Sequence, residues 1–528
     1  MKINKNYLLL TVLLFYTLFG SWLSITTGIS HDEYHEQLNW EINLLGIKSF
    51  FSTGEYLLLI DYKDKYHGIA FHIISQPIQI FFSEFVTNFN EVSSNGGFLI
   101  SKHIAIFFIF SLSGIFFYLI CLKISKEFYF SLIATIIYLI YPYFFGHAQI
   151  NPKDIPFLSF WLINTYFFLI VLENIYYERA LKIKQILILS LLAAFLISIR
   201  TLGIIIFLEY LIGMSVLFSY KKFTFITFSN KYALSILIFL VSFLFFLYIL
   251  NPIFWHNPLE FINSIKWMGK YQQNVCTLTL GKCLEALRLP SSYYFIWLFF
   301  KLPILILFGI LLFPIIEKKL FLNNDKIKLV FYLTLLLTII LTIIIFIIKK
   351  ISLYDEIRHI MFLIPFIFLI SLINIYIFNK KLFYIFTASV ILFFLIENFS
   401  INPYQYTWLN SFAKITKIEK NFEVDYWGIS NKALQKEIIK YSKLNSLDKN
   451  TCIYGDMYVK EFLIKKGFSC FKNYSELDSA FLKPFFVYKN VRNVKRSNPK
   501  DCKLIFDEKF KYSFSNQNVS AGSLWYCS

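Results

Sequence analysis

The chain has 528 residues, 57% of them apolar and only 16% charged, with a mean hydropathy of +0.58. Soluble domains run near about 45–50% apolar and about 25% charged, so a soluble enzyme, a disordered chain and a secreted disulfide scaffold are excluded. The formal charge of +18 comes without any Lys/Arg block of five or more, and nucleic acid is not expected as a partner.

Apolar blocks of about 17–20 residues recur from residue 7 to residue 396, each long enough to cross a ~30 Å hydrocarbon layer. Eleven spans are predicted, at 7–23, 104–122, 128–145, 155–172, 186–199, 202–218, 233–250, 293–316, 329–348, 360–377 and 382–396. The stretch 69–86 is apolar but carries His72, Gln76, Pro77, Gln79 and Glu84, so it reads as an amphipathic helix at the interface. Basic residues set the orientation. Lys123 and Lys126, Arg179, Lys182 and Lys184, Lys318 and Lys319, and Lys380 and Lys381 mark alternate short loops as cytoplasmic. The N-terminus then lies inside and residues 399–528 outside. Residues 24–30 offer no A-x-A-like cleavage site, so the first block is expected to stay as a span.

The tail is a different kind of sequence, with 21 Lys and Arg against 12 Asp and Glu, a net +9 that is half the total. Helical periodicity at 432–447 and 458–466 alternates with β-rich runs at 451–454, 485–488 and 503–506. The fold class expected is an α-helical polytopic membrane protein with a small C-terminal α/β domain. Residues 1–398 form the membrane part, with outer loops 26–103, 146–154 and 251–292, and residues 399–528 form the extracytoplasmic domain. Of seven cysteines, Cys121 falls at an inner end and the other six outside, which permits three disulfides. Cys276–Cys283 is favoured by proximity, and the pairing of Cys452, Cys470, Cys502 and Cys527 stays open.

All eight histidines fall outside or at outer ends of spans in this topology. The densest cluster is His31-Asp32-Glu33-Tyr34-His35-Glu36, directly after the first span. A second outer loop, 146–156, carries Lys153-Asp154. Each puts a carboxylate at the water–lipid boundary, where it can serve as a general base. Arg200, Lys301 and Arg358-His359 lie in the outer half of their spans, at the depth of a lipid-linked phosphate, and charges there are costly enough to count as functional candidates. Glu209, inside the sixth span, is expected to pair with a polar neighbour.

Asp32-Glu33-Tyr34-His35 after the first span resembles the Asp-Glu-x-His motif of protein O-mannosyltransferases, glycosyltransferase family 39 of the C-type superfamily. The bacterial branch, which includes aminoarabinose-transferase-like members, is similar to this chain also at Asn151-Pro152-Lys153-Asp154, Arg200-Thr201-Leu202-Gly203, Trp255-His256-Asn257-Pro258, Lys301-Leu302-Pro303, Arg358-His359, Asn402-Pro403-Tyr404 and Asp425-Tyr426-Trp427-Gly428. The resemblance implies inverting transfer of a sugar from a polyprenyl-phosphate carrier to an acceptor on the outer face. It maps a base or acceptor-orienting role onto Asp32 and the second-loop acid onto Asp154. Glu33 joins them as a catalytic candidate; His35, Lys153, Arg200, Lys301, Arg358 and His359 are the candidates for binding substrate, since a phosphate leaving group needs positive charge. The expected partners are the polyprenyl-phosphate-sugar donor, a lipid, glycan or protein acceptor, and membrane lipids. No metal ligand is assigned and no cofactor is required, with a divalent cation (Mg or Mn) left open. The cell inner membrane is the expected location. The competing readings are a multi-pass transporter or lipid flippase, which would show internal repeats, and a membrane metalloprotease built on the i, i+4 pair His31 and His35.

Overall fold

In the computed structural model of the protein, which describes residues 5–56, 58–221, 225–270, 275–321, 325–455, 458–479, 484–490, 499 and 501–528, seven helices are long and apolar enough to cross a membrane. Two bent pairs pass the same test together, and two shorter apolar helices fill the remaining expected positions. The chain opens with α1 (Lys5–Ser24), α2 (His31–Thr53), α3 (Ala70–Asn90) and α4 (Ser94–Ser125). Next come α5 (Phe128–Ile140), α6 (Pro142–Ile150), α7 (Asp154–Tyr176), α8 (Ile183–Ile199), α9 (Ile206–Lys221) and α10 (Phe225–Leu250). The long outer loop folds into α11 (Ile253–His256), α12 (Glu260–Lys270) and an antiparallel hairpin, β1 (Cys276–Thr279) with β2 (Lys282–Glu285). The membrane part closes with α13 (Ser292–Lys301), α14 (Ile304–Leu311), α15 (Phe313–Phe321), α16 (Lys326–Ile348), α17 (Ile364–Phe378) and α18 (Lys380–Ser400).

Three expected spans are reshaped, each for a local reason. The span expected at 128–145 bends by 56° between α5 and α6, because Pro142 starts a new helix and Tyr141 before it is extended. The one expected at 293–316 turns by 119° between α13 and α14, where Leu302 is extended ahead of Pro303. That corner holds Lys301. The third, expected at 104–122, begins ten residues earlier, because the Ser93 hydroxyl caps Gly96 N at 2.9 Å and starts α4 at Ser94. Its added turns carry buried Lys102 and His103.

Loops assigned to one side by their lysines do meet at one end of the bundle. Lys126 pairs with Asp325 at 2.6 Å, Lys380 with Glu127 at 3.5 Å, Lys221 and Lys231 with Glu178 at 3.6 and 3.5 Å, and Lys123 with Glu173. Pairs of this kind add little stability; their use is to show that these loops share an end. Glu209 takes the bland role expected of it, accepting from Trp161 Nε1 at 2.8 Å inside the bundle.

The chain beyond α18 does two jobs. Residues 401–429, including α19 (Ser411–Lys414) and α20 (Ile418–Asn421), pack into the same core as the helices. Then α21 (Asn431–Leu444), β3 (Cys452–Gly455), α22 (Val459–Leu463), β4 (Phe471–Asn473), β5 (Phe485–Asn490), β6 (Cys502–Lys511) and β7 (Asn518–Cys527) build a mixed sheet ordered β4-β3-β5-β7-β6. Cys276–Cys283 is bonded as expected, and the tail pairs Cys452–Cys470 and Cys502–Cys527, leaving Cys121 as the buried free thiol.

Single cysteines replacing Lys126, Asp325 and Lys380 should react with an impermeant maleimide only after the membrane is opened, and one replacing Lys440 should react in intact cells. Labelling of all four in intact cells would break the expected topology.

Candidate active site

The opposite end of the bundle gathers nearly every charged residue singled out in the sequence. Arg358, the first residue of a 3-10 turn entering α17, lies at the centre. Its guanidinium reaches Asp32 at 2.6 Å, Asp355 at 3.2 Å and Asp154 at 3.7 Å. Tyr354 and Trp427 lie against its faces, at 4.9 and 5.5 Å from the ring centroids. The Arg358 side chain is 3% exposed and Asp154 2%, whereas Asp32 is 36% exposed. Asp32 is thus the open end of an otherwise enclosed network.

Each carboxylate is placed by its local chain. Asp32 and Glu33 sit in the first turn of α2, where the helix dipole favours negative charge. They point in different directions, because successive residues on a helix are about 100° apart. Glu33 is fully buried: its Oε1 accepts from Ser30 N at 2.7 Å and its Oε2 faces His103 Nε2 at 3.1 Å. It fixes the start of α2 in the manner of a capping box, so the catalytic role expected for Glu33 is corrected to an anchoring one. Asp154 opens α7, and Asn151 holds it there. The Asn151 Oδ1 accepts from Lys153 N and Asp154 N at 3.1 and 2.7 Å, and its amide donates to Asp154 Oδ2 at 2.9 Å.

The cations come from the ends of helices. Arg200 is extended at the end of α8 and pairs with Asp154 at 2.6 Å. Lys153 pairs with Glu36 at 2.7 Å, one turn along α2 from Asp32. Both keep an edge toward solvent, at 12% and 11% side-chain exposure. Lys301 does not. It is fully enclosed at the α13–α14 corner, paired with Glu356 at 2.7 Å and seated over the Tyr143 ring. This corrects the substrate-binding role expected for Lys301, because no face of the ammonium reaches the cleft. His359 is partly exposed, with its ring edge-on to Tyr354.

Asp355 and Glu356, which the sequence reading passed over, organise this end. Both have positive φ, 54° and 68°, a left-handed pair that costs about 1–3 kcal/mol per residue for non-glycine side chains. The turn directs one carboxylate to Arg358 and the next to Lys301. Thr277 Oγ1 of the hairpin accepts from Asp355 N at 3.0 Å, and Tyr293 Oη donates to Glu356 O at 3.1 Å. Burial pushes the Glu356 carboxyl above its ordinary range, and Lys301 pulls it back down. The signal was present as two acids directly ahead of Arg358, where an unsatisfied loop has no need of them.

The tail covers the network. His31 N donates to Trp427 O at 3.2 Å, Asn431 Nδ2 to Ile29 O at 2.7 Å, and Lys432 Nζ to Thr26 O at 2.6 Å. Tyr426 Oη lies 3.3 Å from His147 Nε2. His31 packs edge-on against Tyr458 and approaches Asn490 Nδ2 at 3.1 Å, so it does not join His35 in a protease-like metal pair. His35 is the member of its motif that turns away from Arg358. Its Nε2 lies 3.9 Å from Asp64 in the loop before α3.

No protein-family model matches the chain, and no curated protein matches it. Among solved structures, ArnT from Cupriavidus metallidurans in the apo state aligns over 99% of this chain and 98% of its own, with a TM-score of 0.47 and 10% identity. The same protein bound to undecaprenyl phosphate aligns over 98% and 97%, with a TM-score of 0.40 and 10% identity.

Replacing Arg358 by Gln should cost about 3–5 kcal/mol of stability, since buried Asp154 and Asp355 would lose the cation that they share. Asp32→Asn should cost under about 1 kcal/mol, as expected of a half-exposed member of the pair. Thermal melts of the two variants in detergent would test this contrast, and equal losses would contradict it.

Proposed function

We propose that the protein transfers a glycosyl group from a polyprenyl-phosphate-linked donor to an acceptor hydroxyl or phosphate on the outer face of the membrane, with inversion. One observation carries this reading: a single partly exposed carboxylate, Asp32, is held at the mouth of a buried Arg358 network, at the end of the bundle away from the lysine-rich loops. The resemblance of Asp32-Glu33-Tyr34-His35 to the family 39 motif supports the same assignment.

The reaction needs one base and one stabilised leaving group. Arg358 fixes the direction of the Asp32 carboxylate, which can take the proton from an acceptor O–H as that oxygen attacks the anomeric carbon. The bond from that carbon to the phosphate oxygen breaks, and the electron pair leaves with the polyprenyl phosphate. The anomeric carbon is attacked from the face opposite the leaving group, which gives inversion. A phosphate acceptor follows the same course without needing proton removal.

Positive charge for the phosphate comes from the two partly exposed cations, Lys153 and Arg200, whose guanidinium Nε makes no hydrogen bond among the described residues. The enclosed cations are already matched. Lys301 faces Glu356, and Arg358 faces Asp32, Asp154 and Asp355. A transporter or flippase is not favoured, since a path through the bundle would not need its polar groups locked in pairs at one end.

With purified protein and a polyprenyl-phospho-sugar donor, Asp32→Asn should lower transfer by about 10²–10⁴-fold while donor binding stays within about threefold of wild type. Glu33→Gln should act on thermal stability instead and retain the rate per folded molecule. Near-wild-type transfer by Asp32→Asn would remove the base assigned here.

A further inference from the structure

Beside Asp32, on the next turn of α2, lies a group of side chains that the transfer reaction as described does not use. His35, Asp64 and His67 each direct one ligand atom to a common point, and all three atoms lie within 4.8 Å of one another. The separations are informative. His35 Nε2 to Asp64 Oδ2 is 3.9 Å and His67 Nδ1 to Asp64 Oδ1 is 3.7 Å, both beyond hydrogen-bond reach. A metal held at about 2.0–2.2 Å by tetrahedral ligands separates those ligands by about 3.4 Å. The three atoms, up to 4.8 Å apart, therefore have to draw together by up to about 1.4 Å around an ion.

The loop that supplies two of the three is fixed before any ion binds. Asp64 and His67 are one turn apart, with His67 N donating to Asp64 O at 2.9 Å. Tyr62 Oη donates to Asn39 Oδ1 on α2, Tyr66 Oη donates to Glu260 on α12, and the His67 ring packs edge-on against Trp267. Gly68 lets the loop touch the end of α8: a Cβ there would fall 2.3 Å from Ser198 O and 2.5 Å from Ile199 O. His67 also lines a small cavity with Asn43, Tyr66, Thr201 and Asn251.

We propose that His35, Asp64 and His67 bind one divalent transition-metal ion, of the Zn²⁺, Mn²⁺ or Fe²⁺ class. Two imidazoles and one carboxylate suit these ions, whereas Mg²⁺ and Ca²⁺ prefer an all-oxygen set. Three protein ligands leave open positions for water or a phosphate oxygen. The place explains the purpose. His35 is three residues from Asp32 and the site adjoins Lys153, so an ion here adds positive charge beside that of Lys153 and Arg200. That use at the donor phosphate rests on the proposed function, but the binding of the metal does not.

Binding is therefore tested without donor, on full-length protein carrying no histidine tag and stripped with a chelator. Addition of Zn²⁺ should give about one bound equivalent by elemental analysis, and Co²⁺ should develop the visible absorption of a low-coordinate nitrogen and oxygen site. His67→Gln and His35→Gln should each weaken binding by about 100-fold or more, and Asp64→Asn, which preserves the shape of the turn, should do the same. His31→Gln should leave binding unchanged, because His31 is engaged with Tyr458 and Asn490. Absence of a stoichiometric ion, or binding that survives His67→Gln and Asp64→Asn, would overturn the site while leaving the transfer reaction standing.

Discussion

A guanidinium taken out of water costs several kcal/mol unless its hydrogen bonds and its charge are met inside. Arg358 is 3% exposed, and three carboxylates from three separate parts of the chain meet it. Asp32 comes from the first turn of α2, Asp154 from the first turn of α7, and Asp355 from the left-handed turn just before Arg358 itself. Satisfying that one cation brings the starts of α2, α7 and α17 to a single point. Trp427 and Tyr354 close over it, and the hairpin from the long loop braces the Asp355 turn through Thr277.

Such a network is a poor source of stability, because well-packed apolar groups could fill the same space at lower cost. What it supplies is position. Arg358 holds Asp32 in one place at the mouth of the cleft, while Asp154 aligns Arg200 and Glu36 aligns Lys153. The cost of burying these charges and of two strained residues at Asp355 and Glu356 is concentrated at one end of the bundle. The other end is joined by more exposed lysine pairs such as Lys126–Asp325 and Lys380–Glu127, which are replaceable. This asymmetry is the physical reason for placing the chemistry where the histidines and buried arginine are.

Much of this was legible from residue order alone. The apolar blocks located the membrane helices, and the lysines sorted the loops that the ion pairs then join at one end. Asp32, Asp154, Arg200 and Arg358 were picked out separately, and the fold brings them together. Where the reading failed, the deciding fact was direction rather than identity. Asp32 and Glu33 are adjacent acids with the same chemistry, and only the helix phase sends one to the cleft and the other to His103. Lys301 had the right charge at the right depth, but the corner at Pro303 turned it inward onto Glu356. Asp355 and Glu356 carry no such mark in the sequence, because a left-handed turn has no signature in non-glycine residues. The strand β7, reading Asn-Val-Ser-Ala-Gly-Ser-Leu-Trp-Tyr-Cys, lacks the dense aromatic run of β5, Phe-Phe-Val-Tyr-Lys-Asn, and its partners β5 and β6 supply the order that its own propensity does not.

The central claim is that the protein consumes a lipid-linked sugar at the outer face. Mass spectrometry of membrane lipids and envelope glycans, compared between a strain lacking the protein and its parent, tests this most directly. The account predicts that a polyprenyl-phosphate-linked sugar accumulates and that one envelope acceptor loses the mass of that sugar, with both changes reversed by the wild-type gene. Unchanged lipid-linked sugar together with an intact set of envelope glycans would contradict it.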